Sequence, residues 1–157
     1  LTRSGFGFQR WPSFDSLAWT ALLREAREQV RESLQSPVIG SDMSGKALGM
    51  ARKNAERAGV GELISFSRAS FDEGAPPASP GILLCNPPYG VRLSEEGQLR
   101  ALYKKLGDTL KRSYTGYTAY VLCGNLGLVS SIGLKPSRRI VLFNGSIECR
   151  LLRYEMY

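Results

Sequence analysis

The chain is expected to fold as an α/β domain whose sheet is mostly parallel and closes with an antiparallel hairpin at the C-terminus. Three observations carry that expectation. Short apolar runs alternate with segments of helical period, two of those runs end in a polar residue suited to a ligand (Asp42 and Asn86), and Asn144-Gly145 separates the last two apolar runs. Alternating strands and helices lay parallel strands side by side under crossover helices. Asn-Gly between apolar runs signals a two-residue type I′ hairpin. The sheet should then be covered on both faces and contain one reversed strand.

Residues 1 to 14 hold Gly5-Phe6-Gly7-Phe8-Gln9-Arg10-Trp11-Pro12-Ser13-Phe14, which has neither strand nor helix period and reads as an ordered loop pinned by aromatics. Gly5 and Gly7 lack the preceding strand and third glycine of a dinucleotide fingerprint. Asp15 or Ser16 can cap a helix running to about Leu34, with Trp19, Leu22, Leu23, Ala26, Val30 and Leu34 as an apolar stripe expected to be core and Pro37 as its stop. Val38-Ile39-Gly40-Ser41-Asp42 reads as a short buried strand, followed by a helix from about Ser44 to Ala58 with Gly59 at its C-cap.

Leu63 to Ser67 alternates like a further strand, and the polar, Pro-rich stretch from Ser70 to Pro80 reads as a loop. A strand over 81 to 85 follows. A helix near Glu95 to Arg112 places Leu99, Leu102, Tyr103, Leu106 and Leu110 at helical spacing, with Ser94 and two glutamates at its start. Thr118 to Cys123 is another buried strand, and Arg139 to Phe143 and Ile147 to Tyr157 form the closing pair.

Composition narrows the function. The 157 residues are 43% apolar and 22% charged, as in one ordinary globular domain. No apolar stretch approaches the roughly 20 residues of a membrane span. The start, Leu1-Thr2-Arg3-Ser4-Gly5-Phe6, lacks the features of an export signal, so a cytoplasmic location is expected. Cys85, Cys123 and Cys149 lie in or beside apolar runs without C-x-x-C spacing and read as reduced core residues. With no histidine in the chain, Ser-His and Cys-His nucleophilic catalysis within it is excluded, and a zinc site is not expected. A net charge of +7 and a pI near 9.6 favour a polyanionic partner. The basic pairs are Arg52-Lys53, Lys104-Lys105, Lys111-Arg112 and Arg138-Arg139.

The most informative motif is Asn86-Pro87-Pro88-Tyr89, directly after the apolar run Ile82-Leu83-Leu84-Cys85. An asparagine amide oxygen can accept a hydrogen bond from an exocyclic amino group. A neighbouring backbone carbonyl supplies a second acceptor, and together they aim the nitrogen lone pair at an electrophile. Pro87 and Pro88 fix φ, and Pro87 biases Asn86 toward extended backbone, so the acceptors are aimed with little entropy left to lose. Tyr89 offers a flat face for stacking a base. The alternative is a rigid strand-to-loop turn without chemistry. Asp42, also at a strand's carboxyl end, can accept hydrogen bonds from two ribose hydroxyls of an adenosine-type cofactor. Its alternative is to cap the next helix.

These residues resemble the class I S-adenosylmethionine-dependent methyltransferases, whose amino-methylating branch carries Asn/Asp-Pro-Pro-Tyr/Phe/Trp after the fourth strand. Four segments narrow the resemblance: Phe6-x-Phe8-x-Arg10-Trp11-Pro12-x-Phe14-Asp15; Gly40-Ser41-Asp42; Asn86-Pro87-Pro88-Tyr89-Gly90; and Asn144-Gly145-x-Ile147-Glu148-Cys149-Arg150-Leu151. Together they are similar to the THUMP-associated RNA guanine-N2 methyltransferases, which include bacterial large-subunit ribosomal RNA enzymes and related transfer RNA enzymes. The resemblance runs through nearly the whole chain.

It implies a Rossmann-like sheet, S-adenosyl-L-methionine as cofactor, no metal, and RNA as partner, with ribosomal RNA ahead of transfer RNA. In this resemblance Asn86 and the Pro87 carbonyl bind the guanine N2 amino group, and Tyr89 stacks on the base. Asp42, Met43, Ser70, Phe71 and Asn86 fall to the cofactor, with Ser70 standing where relatives often place an acid. The resemblance also implies a loop of the Asp-Pro-x-Cys-Gly-Ser-Gly type after strand one, upstream of Arg10-Trp11, and a THUMP region further upstream. Residues 1–157 then read as a partial catalytic domain lacking strand one and its Gly-rich cofactor loop, with 1–14 as the aromatic and basic loop and 15–157 as the α/β core. The alternatives are adenine-N6 methylation of DNA or RNA, methylation of protein glutamine, and a non-catalytic RNA-binding fragment of a methyltransferase.

Overall fold

The computed structural model describes residues 5–73, 76–77, 80–90 and 96–157. The chain divides into two compact units, Leu1–Ala69 and Ser70–Tyr157. The boundary falls where the sequence turns polar and Pro-rich.

In the first unit the aromatic segment makes a 3-10 turn, Gly7–Arg10. The Phe8 ring lies 5.1 Å from Trp19, 5.4 Å from Phe6 and 5.9 Å from Phe14, measured between centroids. The loop is therefore tied to the helix that follows it, as the sequence implied. That helix, α1 (Ser16–Glu28), begins at Asp15, whose Oδ1 accepts from the amides of Leu17 and Ala18, each at 2.9 Å. Such a cap contributes about 1 kcal/mol.

The helix ends six residues before Leu34, the limit suggested by its apolar stripe. None of its residues is buried, and Leu22 and Val30 are 54% and 64% exposed. Most helical stability comes from burying an apolar face. Past Glu28 the β-branched Val30 and the serines Ser33 and Ser36 have weak helix propensity and no packing surface to offset it.

Strand β1 (Val38–Asp42) runs parallel to β2 (Ile64–Arg68), in register from Val38↔Ile64 to Asp42↔Arg68. The crossover is α2 (Gly45–Arg57), which buries Leu48 and Ala55. Ser44 caps it through the Ala47 amide at 3.2 Å, and Gly59, just past its end, has φ of +72°, which only glycine adopts freely. Gly40 lies under the Phe66 ring, and a Cβ there would approach ring carbons to 3.0 Å. The Arg52 guanidinium caps the same ring and donates to the Phe66 carbonyl at 3.1 Å.

The second unit holds a four-stranded sheet in the order β3 (Gly81–Cys85), β4 (Tyr117–Cys123), β6 (Ile147–Glu155), β5 (Arg138–Asn144). β3 and β4 are parallel, β6 is antiparallel to both β4 and β5, and so β6 is the one reversed strand. Helix α3 (Glu96–Ser113) covers one face, setting Leu99, Tyr103, Leu106 and Leu110 against Ala119, Val121 and Cys123 of β4 and Leu152 and Tyr154 of β6. Each fully buried leucine contributes about 2 kcal/mol. A 3-10 segment, Leu126–Ile132, joins this core through Leu128 and Ile132.

The expectation of cover on both faces is not met at β3. Leu83 and Cys85 face the core, whereas Ile82 and Leu84 are 76% and 73% exposed. Successive strand residues point to opposite faces, and α3 covers only one of them. Ser94 and Glu95, read as the start of α3, lie outside the described residues, as do four residues of the loop before β3. Among the described residues no helix is long and apolar enough to cross a membrane.

The hairpin matches its expected position but not its turn type. Asn144 pairs with Ile147, leaving Gly145 and Ser146 as the loop. Among the described residues no non-glycine has positive φ, and Gly145 has φ of +62°. Positive φ at the first loop position alone is the type II′ signature, not type I′. Asn144 therefore stays in the ladder as the last residue of β5.

Candidate active site

β3 ends at Cys85 and delivers Asn86 to the carboxyl edge of the second sheet. Packing fixes both ends of the turn. Cys85 and Tyr89 pack against the hydrophobic core, while Asn86 and Pro88 are exposed. Burial pushes the Cys85 thiol up to about 12, so it stays protonated and acts as an apolar anchor. Cys85, Cys123 and Cys149 are free thiols, of which Cys123 and Cys149 are buried and Cys85 is half-buried.

Tyr89 is held in two ways. Its ring edge crosses Gly124, the residue after β4, so closely that a Cβ at 124 would lie 2.4 Å from Cε2. Its hydroxyl accepts a hydrogen bond from Nδ2 of Asn144 at 2.7 Å and lies 3.8 Å from the buried Sγ of Cys149. The sequence reading missed Asn144 and Gly124 in this role. The Asn-Gly pattern points to the turn itself, and no local pattern links Asn144 to a tyrosine 55 residues away.

Ser70 and Phe71 belong to the same unit. The Ser70 hydroxyl donates to Asp72. The other Asp72 oxygen meets the Lys105 ammonium at 2.6 Å. Lys105, then Ser70, pull the Asp72 carboxyl down to about 2. Arg112 donates to the Asp72 carbonyl at 3.2 Å. Phe71 packs against the core beneath the Lys105 ammonium, 6.0 Å from its ring centre. The acid next to Ser70 is thus committed to an ion pair, leaving Phe71 as the apolar surface of this segment.

Asp42 and Met43 lie in the first unit. Asp42 Oδ1 accepts from the Ser44 amide at 2.7 Å, and Ser44 itself caps α2. Both readings of Asp42 therefore bear on one residue: it shapes the approach to the helix, but its exposed carboxylate is not the cap. Met43 is 67% exposed, and its carbonyl accepts from Nε of Arg68 at 3.0 Å.

Part of the basic charge is paired locally, as in Lys104 with Asp108 at 2.6 Å and Lys105 with Asp72. A groove of about 440 Å³ in the second unit carries Lys135, Arg139 and Arg150 over Leu126, Leu134 and Leu152. Among the described residues no cluster of His, Cys, Asp and Glu could hold a metal ion.

Residues 3–153 match the family described as RMKL-like, methyltransferase domain. The chain is 42% identical over 153 residues to a candidate RNA methyltransferase of Synechocystis sp., covering 98% of this chain and 40% of that protein. It is 39% identical over 160 residues to the ribosomal RNA large subunit methyltransferase K/L of Shewanella baltica, covering 100% of this chain and 23% of that protein. It therefore spans well under half the length of these relatives. Among solved structures, a candidate methyltransferase complexed with S-adenosylhomocysteine superposes with a TM-score of 0.84 at 26% identity, over 99% of this chain and 41% of that one. A Listeria monocytogenes protein described as a predicted N6-adenine-specific DNA methylase superposes with a TM-score of 0.78 at 26% identity, over 99% and 40%.

Proposed function

Because the chain belongs to the RMKL-like methyltransferase domain family, we propose that it is the catalytic part of an S-adenosyl-L-methionine-dependent RNA methyltransferase acting on the exocyclic N2 amino group of guanine in large-subunit ribosomal RNA. The carrying observation is the Asn86-Pro87-Pro88-Tyr89 turn, exposed at Asn86 and anchored at Cys85 and Tyr89. An amino group is a weak nucleophile that needs orientation more than activation. Two acceptors, the Asn86 amide oxygen and the Pro87 carbonyl, would engage both N–H bonds and leave the lone pair directed outward. Positioning of this kind can lower a barrier by about 7 kcal/mol or more.

The cofactor supplies an electrophilic methyl group on a sulfonium. The residues present fit it one by one. Asp42 offers an exposed carboxylate at a strand end, suited to ribose hydroxyls, and Met43 offers an exposed apolar side chain. Phe71 offers an aromatic surface and Ser70 a hydroxyl beside it. RNA as partner is supported by the charge of +7 and by the names of the relatives. A base in a duplex would have to be turned out of its stack to reach Asn86, with cationic side chains holding the phosphates meanwhile. In this reading the full-length protein carries a THUMP-type RNA-binding region and works in the cytoplasm.

The test uses full-length protein with undermethylated large-subunit ribosomal RNA, followed by nucleoside analysis. N2-methylguanosine with the wild type and none with Asn86→Ala is the expected result. N6-methyladenosine would transfer the site to the adenine reading, which the Listeria neighbour's description favours. If no S-adenosyl-L-methionine binding is detected by calorimetry, the chain is a non-catalytic RNA-binding module.

A further inference from the structure

We propose that Asn144, at the tip of the β5–β6 hairpin, is a positioning residue that holds the amino-binding turn in its working geometry through Tyr89. The inference rests on the reading of Asn86 as the amino acceptor and adds a component to that site.

Three features lead to it. First, the type II′ turn keeps Asn144 in the ladder opposite Ile147, so its backbone is extended and its side chain leaves a rigid element and not a loop. Second, its Nδ2 donates to the Tyr89 hydroxyl at 2.7 Å, whereas the Cys149 thiol, 3.8 Å from the same hydroxyl, is a much weaker partner. Third, Gly124 allows the Tyr89 ring to lie against the chain just after β4, where any Cβ would collide with it. Tyr89 is thus located by the ends of β4 and β5, which are tied together through β6.

The consequence falls on Asn86. Asn86, Pro87 and Pro88 span two anchors that both pack against the core, Cys85 before them and Tyr89 after them. With both prolines fixed in φ, a shift of Tyr89 is transmitted along the turn instead of being absorbed in it. Sites work when their acceptors are held within about 0.5 Å of the productive geometry by such supporting contacts. A misplacement of about 1 Å can cost on the order of 100-fold in rate.

The test measures methyl transfer by full-length protein to undermethylated large-subunit ribosomal RNA for wild type, Asn144→Ala, Asn144→Asp, Tyr89→Phe and the double variant Asn144→Ala/Tyr89→Phe, with Asn86→Ala as reference. Asn144→Ala is expected to lower kcat about 10-fold or more, leave KM for S-adenosyl-L-methionine within about twofold, and leave the melting temperature nearly unchanged. Asn144→Asp should recover most of kcat, because the Tyr89 hydroxyl can donate to a carboxylate in the same place. The double variant should be no slower than the slower single variant, since both remove the same bond. Tyr89→Phe breaks that bond from its other end and reports on it even if Asn144→Ala does not fold. Full activity in Asn144→Ala, or additive losses in the double variant, with Asn86→Ala inactive, would overturn the role of Asn144 and leave the site intact. Activity in Asn86→Ala would overturn the underlying reading instead.

Discussion

The Lys105 ammonium lies 2.6 Å from Oδ2 of Asp72, joining α3 to the segment that opens the second unit. Asp72 is only 17% exposed, and it accepts from Ser70 through its other oxygen. Its carboxyl is therefore drawn from an ordinary 3.8 down to about 2. A carboxylate with a depressed native pKa binds protons more readily when unfolded. Its stabilising effect is complete above the unfolded value and fades as pH falls from about 4 through about 2. Thermal melts of wild type and Asp72→Asn should differ at pH 7, and the difference should shrink steadily as pH falls from about 4 to about 2. An equal difference at neutral and acid pH would contradict the ion pair.

Gly107 separates steric from propensity effects. A Cβ there would lie 1.7 Å from the Ile132 carbonyl oxygen, a backbone atom that cannot swing aside. Gly107→Ala should therefore cost about 2 kcal/mol or more despite alanine's better helix propensity. Gly49, inside α2, has nothing within 4 Å of its added Cβ, and Gly49→Ala should stabilise by about 0.5 to 1 kcal/mol. Urea unfolding of the two variants should move in opposite directions.

Gly124 offers an independent test of the Tyr89 seat. Gly124→Ala would push a methyl into the ring edge, 2.4 Å from Cε2. Methyl transfer should drop about 10-fold or more. In a Tyr89→Ala background the same change should add almost nothing, because the ring it displaces is gone. An undiminished loss in that background would place the effect of Gly124 elsewhere.

These contacts divide by how local they are. Helix α2 was legible almost to the residue because Ser44 and Gly59 bracket it chemically, one as a cap donor's acceptor and one by its positive φ. The apolar runs of β3 and β4 were equally plain, since burial against α3 needs only an alternating or continuous apolar pattern. The apolar stripe of α1 continues to Leu34 although the helix ends at Glu28, because periodicity shows which face could pack but not whether anything covers it. The hairpin's position was legible, but its loop is Gly145-Ser146, one residue later than the Asn144-Gly145 pair, because a glycine can open a type II′ loop as well as close a type I′ one. The contact from Asn144 to Tyr89 had no local signature, being set by strand order across the sheet. Asn86 and Asp42 were visible because a polar residue ending an apolar strand is a chemical signal in itself.

The most direct test of the account is the identity of the nucleoside that depends on Asn86. Full-length wild-type protein, S-adenosyl-L-methionine and undermethylated large-subunit ribosomal RNA should yield N2-methylguanosine on mass spectrometry of the digested RNA. Asn86→Ala, with an unchanged melting temperature, should yield none. Methylation of another atom, or undiminished N2-methylguanosine from Asn86→Ala, would contradict the assignment of this turn as the guanine amino site.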